Sequence, residues 1–136
     1  MRSLPVVVLS LFVLAMSGCA SVTTAGGKTL RVRSDAFAAY AEGVFREQNR
    51  IASRLAFALA DLDETSGPRY DSLTSAEDAL LDACAGLNDV AARVRDGRNA
   101  GALRGLRAAR EAPACERAAT AAKAVLNDKG SDPNHS

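Results

Sequence analysis

The chain has 136 residues, a formal net charge of +1 and only 4% aromatic residues, with no Trp and three Cys. This length fits one domain, and the near-neutral total gives no electrostatic reason to bind nucleic acid. The composition excludes collagen-like and acidic disordered chains. Alanine and arginine favour helices and account for 28 and 14 residues, so we predict an all-α protein. The single His135, next to the C-terminus, argues against His-based catalysis and His-ligated metal sites.

The first eighteen residues have the composition of a secretory signal peptide. A basic start precedes an apolar run over residues 4–16. This run is shorter than the roughly 20 apolar residues that a membrane-spanning helix needs. It ends in small residues that lead directly into Cys19. We therefore expect residues 1–18 to be removed.

The segment Met16-Ser17-Gly18-Cys19 resembles the lipobox of bacterial prolipoproteins. The resemblance covers only this N-terminal region and implies a processing class, not a domain family. It implies that Cys19 receives a diacylglycerol group, becomes the first residue and is then N-acylated. Because Ala20 follows the cysteine where an inner-membrane retention signal usually has Asp, the resemblance implies a Gram-negative outer membrane, with the domain facing the periplasm. The alternative is a secreted protein with an unmodified cysteine.

The mature chain divides into three predicted segments. Residues 19–33 contain Gly26-Gly27 and show no helical period, which predicts a flexible tether. Residues 34–127 are the predicted helical domain. The polar residues 128–136 predict a disordered tail.

The first predicted helix spans residues 35–62, with Ser34 or Asp35 as its N-cap. Apolar and small residues recur at alternating spacings of three and four, which indicates one buried face. Its predicted inward residues are Phe37, Ala41, Val44, Gln48, Ile51, Leu55, Ala58 and Leu62. We interpret its exposed arginines as a solvated face.

Two further helices complete a predicted antiparallel three-helix bundle. Thr74 and Glu77 match a capping box, so we predict a helix over residues 75–95. A Gly-containing turn then leads into a third helix over 101–127, with Leu103 facing inward. Pro113 lacks a backbone donor, which predicts a kink or a split there.

Cys84 and Cys115 are the predicted disulfide. With Cys19 assigned to the lipid, two cysteines remain, and an even number in an exported chain indicates a disulfide. The two residues also lie equally far from the predicted turn near Asn99, so an antiparallel helical hairpin would bring them together. The alternatives are buried free thiols, a redox dithiol or a metal pair, the last two disfavoured because no CxxC or nearby His accompanies them.

Charge is unevenly distributed within the balanced total. Residues 61–89 hold eight acids and one base, whereas residues 93–117 hold seven Arg and three acids. The tether and the turn near residue 99 are predicted at the same end of the bundle, which would then face the membrane. The predicted membrane-facing basic patch is Arg93, Arg95, Arg98 and Arg104, with Arg31 and Arg33 nearby. Compensation of helix dipoles is the alternative.

We predict a non-enzymatic, lipid-anchored envelope module that contacts the membrane through its anchor, with an envelope protein as the expected partner. The sequence has no GxSxG, HExxH, P-loop or CxxC motif, and beyond the acyl chains on Cys19 we expect no cofactor or metal. A ligand or peptide site between the helices is the alternative. A carboxylate-based hydrolase, a weaker alternative, would use Asp61, Asp63, Glu64 and Asp71.

Overall fold

The computed structural model describes residues 20–62 and 67–128. The predicted signal segment, Cys19, residues 63–66 and the predicted tail from residue 129 onward lie outside these residues. The described part is mostly helical and also contains a small sheet. Its elements are β1 Ser21–Thr23, β2 Thr29–Arg31, α1 Asp35–Ala60, α2 Pro68–Ala83, α3 Ala85–Arg95 and α4 Ala102–Asn127.

Helix α1 closely follows its sequence prediction. The Ser34 side chain accepts a hydrogen bond of 3.1 Å from the Phe37 amide and caps the helix. The predicted inward face is confirmed at the five buried positions Phe37, Val44, Gln48, Ile51 and Leu55. Gln48 is the polar member of this face, and its amide donates to Asn88 Oδ1 at 2.7 Å. That bond joins α1 to α3 and offsets the desolvation of a buried amide.

The second predicted helix starts earlier than expected and is divided into two. Pro68 occupies its first turn, after Gly67 in a left-handed conformation with φ of 65°, and a proline there gives up no helical hydrogen bond. Thr74 is therefore inside α2, and the predicted cap at this residue is wrong. The helix is interrupted at Cys84, where α3 follows.

Helix α4 continues through Pro113 as one element, so the predicted split is absent. The proline ring is buried and removes the donor that the Ala109 carbonyl would otherwise receive. Helical geometry persists on both sides because the neighbouring face is packed in the core. That face is built almost entirely of small residues: Ala108, Ala109, Ala112, Cys115, Ala119 and Ala122.

Helix α4 packs against α1, α2 and α3, and α1 also packs directly against α2. Arg69, at the start of α2, donates to the Val125 carbonyl at 2.7 Å near the end of α4, whereas Cys84 at the end of α2 is bonded to Cys115 further back. These contacts show that α2 and α4 run in opposite directions. The guanidinium of Arg69 also provides a cation at the C-terminal end of α4, where the helix dipole favours it.

Residues 21–31, expected to belong to a flexible tether, form an antiparallel hairpin instead. Val22 pairs with Leu30, and both side chains are buried in a second small core with Phe37 and Ala109. Gly27 permits the turn with φ of 83°. The apolar side chains of the two strands are withdrawn from water, which compensates for the entropy of ordering the segment.

The position of Thr74 inside α2 reverses the change in stability expected when this residue is replaced. The Thr74 hydroxyl is buried without a hydrogen-bond partner, and an unpartnered buried hydroxyl costs about 1–3 kcal/mol. We expect Thr74→Val to raise the free energy of unfolding, measured by urea denaturation, by about 1 kcal/mol. Loss of a true N-cap would lower it by a similar amount. Thr120→Val is the control, because the Thr120 hydroxyl donates to the Glu116 carbonyl at 3.0 Å, and no gain is expected there.

Candidate functional site

The predicted disulfide is confirmed and lies in the core. Cys84 and Cys115 are bonded at 2.07 Å, with Cα atoms 4.7 Å apart. Both residues are completely buried, so neither sulfur meets solvent. The bond therefore fixes the junction of α2 and α3 against the middle of α4, in a structural role.

The connection between α3 and α4 forms an exposed tip, which we define as residues 94–104. Gly97 and Gly101 both have positive φ, of 68° and 76°, and the Asn99 carboxamide accepts from the Gly101 amide at 2.8 Å. The side-chain hydrogen bond and the two left-handed residues give the turn a defined shape. The basic residues of the predicted patch flank this turn.

Two carboxylates are shared among the four patch arginines. Asp89 contacts Arg93 at 3.2 Å and Arg104 at 3.8 Å. Asp96 contacts Arg98 at 2.8 Å and Arg95 at 3.7 Å. The structure thus brings the four arginines to one end of the domain as two acid-bridged pairs. Because cations outnumber acids in this set, the tip keeps an excess of positive charge.

Two large apolar side chains at the tip are exposed, and one of them was assigned to the core from the sequence. Val94 is 64% exposed and Leu103 is 85% exposed, so the prediction that Leu103 faces inward is wrong. Leu103 is nine residues before the fully buried Ala112, a rotation of about 180° at 3.6 residues per turn. The small face of α4 is buried, and its large side chain at this end is left in water.

Two of the four carboxylates proposed for a hydrolase lie in the described residues, and neither of these two is buried. Asp61 and Asp71 are both exposed to water. Asp63 and Glu64 lie outside the described residues. Acid–base catalysis by a carboxylate pair depends on burial that separates the pKa values of the two groups. The exposure of Asp61 and Asp71 does not provide such burial.

A carboxylate that the sequence analysis did not single out links three elements. Glu116 Oε2 accepts from the Ala25 amide at 2.9 Å and from the Tyr40 hydroxyl at 2.8 Å. It therefore holds the hairpin turn and α1 against α4. Burial raises the pKa of Tyr40, and the hydrogen bond and negative charge of Glu116 raise it further.

A shallow groove of about 350 Å³ lies beside this junction, between α1 and α4. Its walls include Tyr40, Gly43, Glu47, Glu116 and Thr120. Small residues on the facing sides of the two helices leave this space open, and Gly43 has no side chain to fill it. The groove combines an apolar floor with two carboxylates, but it is open to solvent.

Comparison with known proteins identifies no relative: no family model, no curated protein and no solved structure matches the chain. Within residues 20–62 and 67–128, no three His, Cys, Asp or Glu side chains group closely enough to hold a metal ion. No helix in the same ranges is long and apolar enough to cross a membrane.

The buried disulfide predicts a large loss of stability when both sulfurs are removed. The bond closes a loop between residues 31 apart in sequence, and the chain-entropy model gives about 3–4 kcal/mol for such a loop. We expect the Cys84→Ala, Cys115→Ala double variant to lose about this much free energy of unfolding in urea titrations. The double variant and the wild type are both compared as the chain from Ala20 to Ser136, so that processing at Cys19 does not enter the comparison. Equal stability of the double variant and the wild type would contradict the assigned role.

The raised pKa of Tyr40 predicts a specific loss of stability in alkali. Above pH of about 10 an unfolded tyrosine releases its proton, whereas the folded Tyr40 retains it. The unfolded state is then favoured as pH rises. We expect wild-type unfolding free energy to fall more steeply than that of Tyr40→Phe above this pH. Tyr70→Phe removes the chain's other tyrosine and should keep the wild-type alkaline loss; identical slopes for all three proteins would refute the prediction.

Proposed function

We propose that this protein is a lipid-anchored lipoprotein of the bacterial envelope, whose helical domain is a non-catalytic interaction or structural module. One observation carries the proposal. Of the three cysteines, two are joined in a buried disulfide, which suits an oxidising exported compartment. Cys19 is left as the cysteine that ends a signal-like segment.

The hairpin supports a close connection between anchor and domain. The Val32 amide donates to the Ala20 carbonyl at 2.9 Å, so the residue bonded to Cys19 is itself tied to the folded part of the chain. Acyl chains on Cys19 would anchor the protein stably, because each buried CH₂ contributes about 0.8 kcal/mol. The outer membrane, with the domain in the periplasm, is the proposed location.

The module is proposed to act through its shape and surface. In this arrangement α2 and α3 form one arm that runs opposite to α1 and α4, an antiparallel three-helix unit with an interrupted central arm. An envelope protein is the proposed partner of its exposed helix faces. The exposure of Asp61 and Asp71 supports a role without acid–base chemistry.

Ligand or peptide binding is the second candidate function. It is favoured by the groove between α1 and α4, where the Glu116 and Glu47 carboxylates border an apolar floor. A basic or amide-bearing ligand would match this chemistry. A cationic peptide that shifts the amide resonances of Gly43 and Thr120, and does so less in Glu47→Gln, would favour this candidate.

The anchor is tested by mass analysis of the protein purified from envelopes of a Gram-negative host. We expect a chain that begins at Cys19 and carries diacylglycerol and an N-acyl group. Cys19→Ala should be neither acylated nor cut before residue 19, whereas Cys84→Ala should still be acylated. A mature wild-type chain that lacks lipid, or begins elsewhere, would overturn the proposal.

A further inference from the structure

The hairpin shows at which end of the domain the anchor segment leaves. Its turn residue Ala25 bonds to Glu116, and Val22 packs against Ala109. The three residues from Val22 to Ala25 cover at most about 10 Å, and the seven helical residues from 116 back to 109 cover a similar distance. Strand β1 therefore runs alongside α4, with its start towards the N-terminal end of that helix.

The same spacing places Ala20 close to the tip. Ala20 is two residues before Val22, or about 7 Å further along the strand direction, which corresponds to a level near Gly105 on α4. Helix α4 begins at Ala102. A lipid attached to Cys19, the next residue back, would thus join the domain at the end that carries the tip.

The composition of the tip matches a lipid surface in both charge and apolarity. The exposed side chains of Val94 and Leu103 alternate with arginines whose side chains are 80%, 60% and 52% exposed, for Arg95, Arg98 and Arg104 respectively. Exposed ion pairs contribute little free energy. Each guanidinium has five donors, which leaves donors for a phosphate beyond those used by Asp89 and Asp96.

Dipole compensation accounts for only part of this basic cluster. Arg93 and Arg95 end α3, where the helix dipole favours cations. Arg104 instead lies in the first turn of α4, at the positive end of that dipole, and its only described acid contact is Asp89 at 3.8 Å. A cation in that position gains from an external anion more than from its own helix.

We propose that the tip docks on the anionic membrane surface that holds the anchor. Val94 and Leu103 enter the headgroup region, while Arg95, Arg98 and Arg104 contact lipid phosphates. The proposal rests on the proposed lipid anchor for the identity of the surface. Charge complementarity and the place where the chain enters the domain both select lipid as the occupant.

Hydrogen exchange of the lipidated protein tests the docking directly. The protein is reconstituted in vesicles of phosphatidylglycerol with phosphatidylcholine, and in vesicles of phosphatidylcholine alone. We expect amides of residues 96–103 to exchange several-fold more slowly in the anionic vesicles, and high salt to reduce this protection. Amides of residues 69–72, at the start of α2 and at the end of the domain opposite the tip, should exchange equally in both. Equal exchange of the tip in the two vesicles would overturn the proposal.

A second arm separates failure of docking from failure of the anchor. The chain from Ala20 to Ser136 contains both cores and both disulfide cysteines, and circular dichroism checks that it is folded. Vesicle titration of this chain measures docking without acyl chains. If this chain binds anionic vesicles through its tip but the mature protein carries no lipid, the docking proposal is kept and the anchor proposal is rejected. An affinity for anionic RNA equal to that for anionic vesicles would reject lipid as the occupant.

Matched variants of that chain test the residues. Each arginine at an anionic surface is worth about a fivefold change in affinity, so the tip triple variant should lose most of its vesicle binding. The control triple variant removes the same number of exposed charges from α1 and should bind like the wild type. The two sets are Arg95→Gln, Arg98→Gln, Arg104→Gln and Arg46→Gln, Arg50→Gln, Arg54→Gln.

The apolar contribution has its own control. Leu103→Ser should weaken vesicle binding several-fold. Phe57→Ser, at a residue 74% exposed near the other end of α1, should leave it unchanged. Equal binding by the tip and control variants in both comparisons would show that the tip does not dock.

Discussion

Close approach of the helices to α4 is the constraint on which the structure depends. The buried face of α4 is made mainly of alanine, so each residue removes little apolar surface from water. The backbones must then approach closely for the core to exclude voids. Gly86 shows how close the approach of α3 is, because a Cβ there would lie only 3.4 Å from the Cα atom of Ala108 in α4. The Cys84–Cys115 bond holds this contact where apolar burial alone is modest.

The second small core changes how the proposed anchor would relate to the domain. A flexible tether would let the domain rotate freely above a membrane. The hairpin instead buries Val22 and Leu30 against α1 and α4, and Glu116 secures its turn. The start of the described chain is therefore fixed to the helices, and the proposed anchor on the preceding residue would restrict the orientations that the domain adopts.

The sequence predicted those features that depend on large side chains or on covalent spacing. The face of α1 was predictable because Phe37, Val44, Ile51 and Leu55 set its phase without ambiguity. The disulfide followed from two cysteines placed symmetrically about a glycine turn. The spacing of large apolar side chains identifies one buried side of a helix, and the cysteine spacing identifies one bonded pair. Tertiary packing altered neither assignment.

The features that were missed lack such a signal. Alanine occurs all around α4, so its leucines appeared to define the buried side, and Leu103 was assigned inward although it faces water. Strands of three residues are too short to show a period. Thr74 has the sequence context of a cap, but Pro68 starts the helix earlier. Glu116 could not be selected from the sequence, because Ala25 and Tyr40 meet it only after the hairpin folds back.

The fixed hairpin and the basic tip together explain how weak contacts could orient an anchored domain. A few exposed arginines and two apolar side chains give a soluble protein only modest affinity for a membrane. An anchor attached near the same end makes docking intramolecular, so the effective concentration of lipid at the tip is high. Contacts worth little to a free domain then populate one orientation. In the proposed orientation, the opposite end, with Asp61 and Asp71 exposed, would face away from the anionic surface and would be open to the proposed envelope partner.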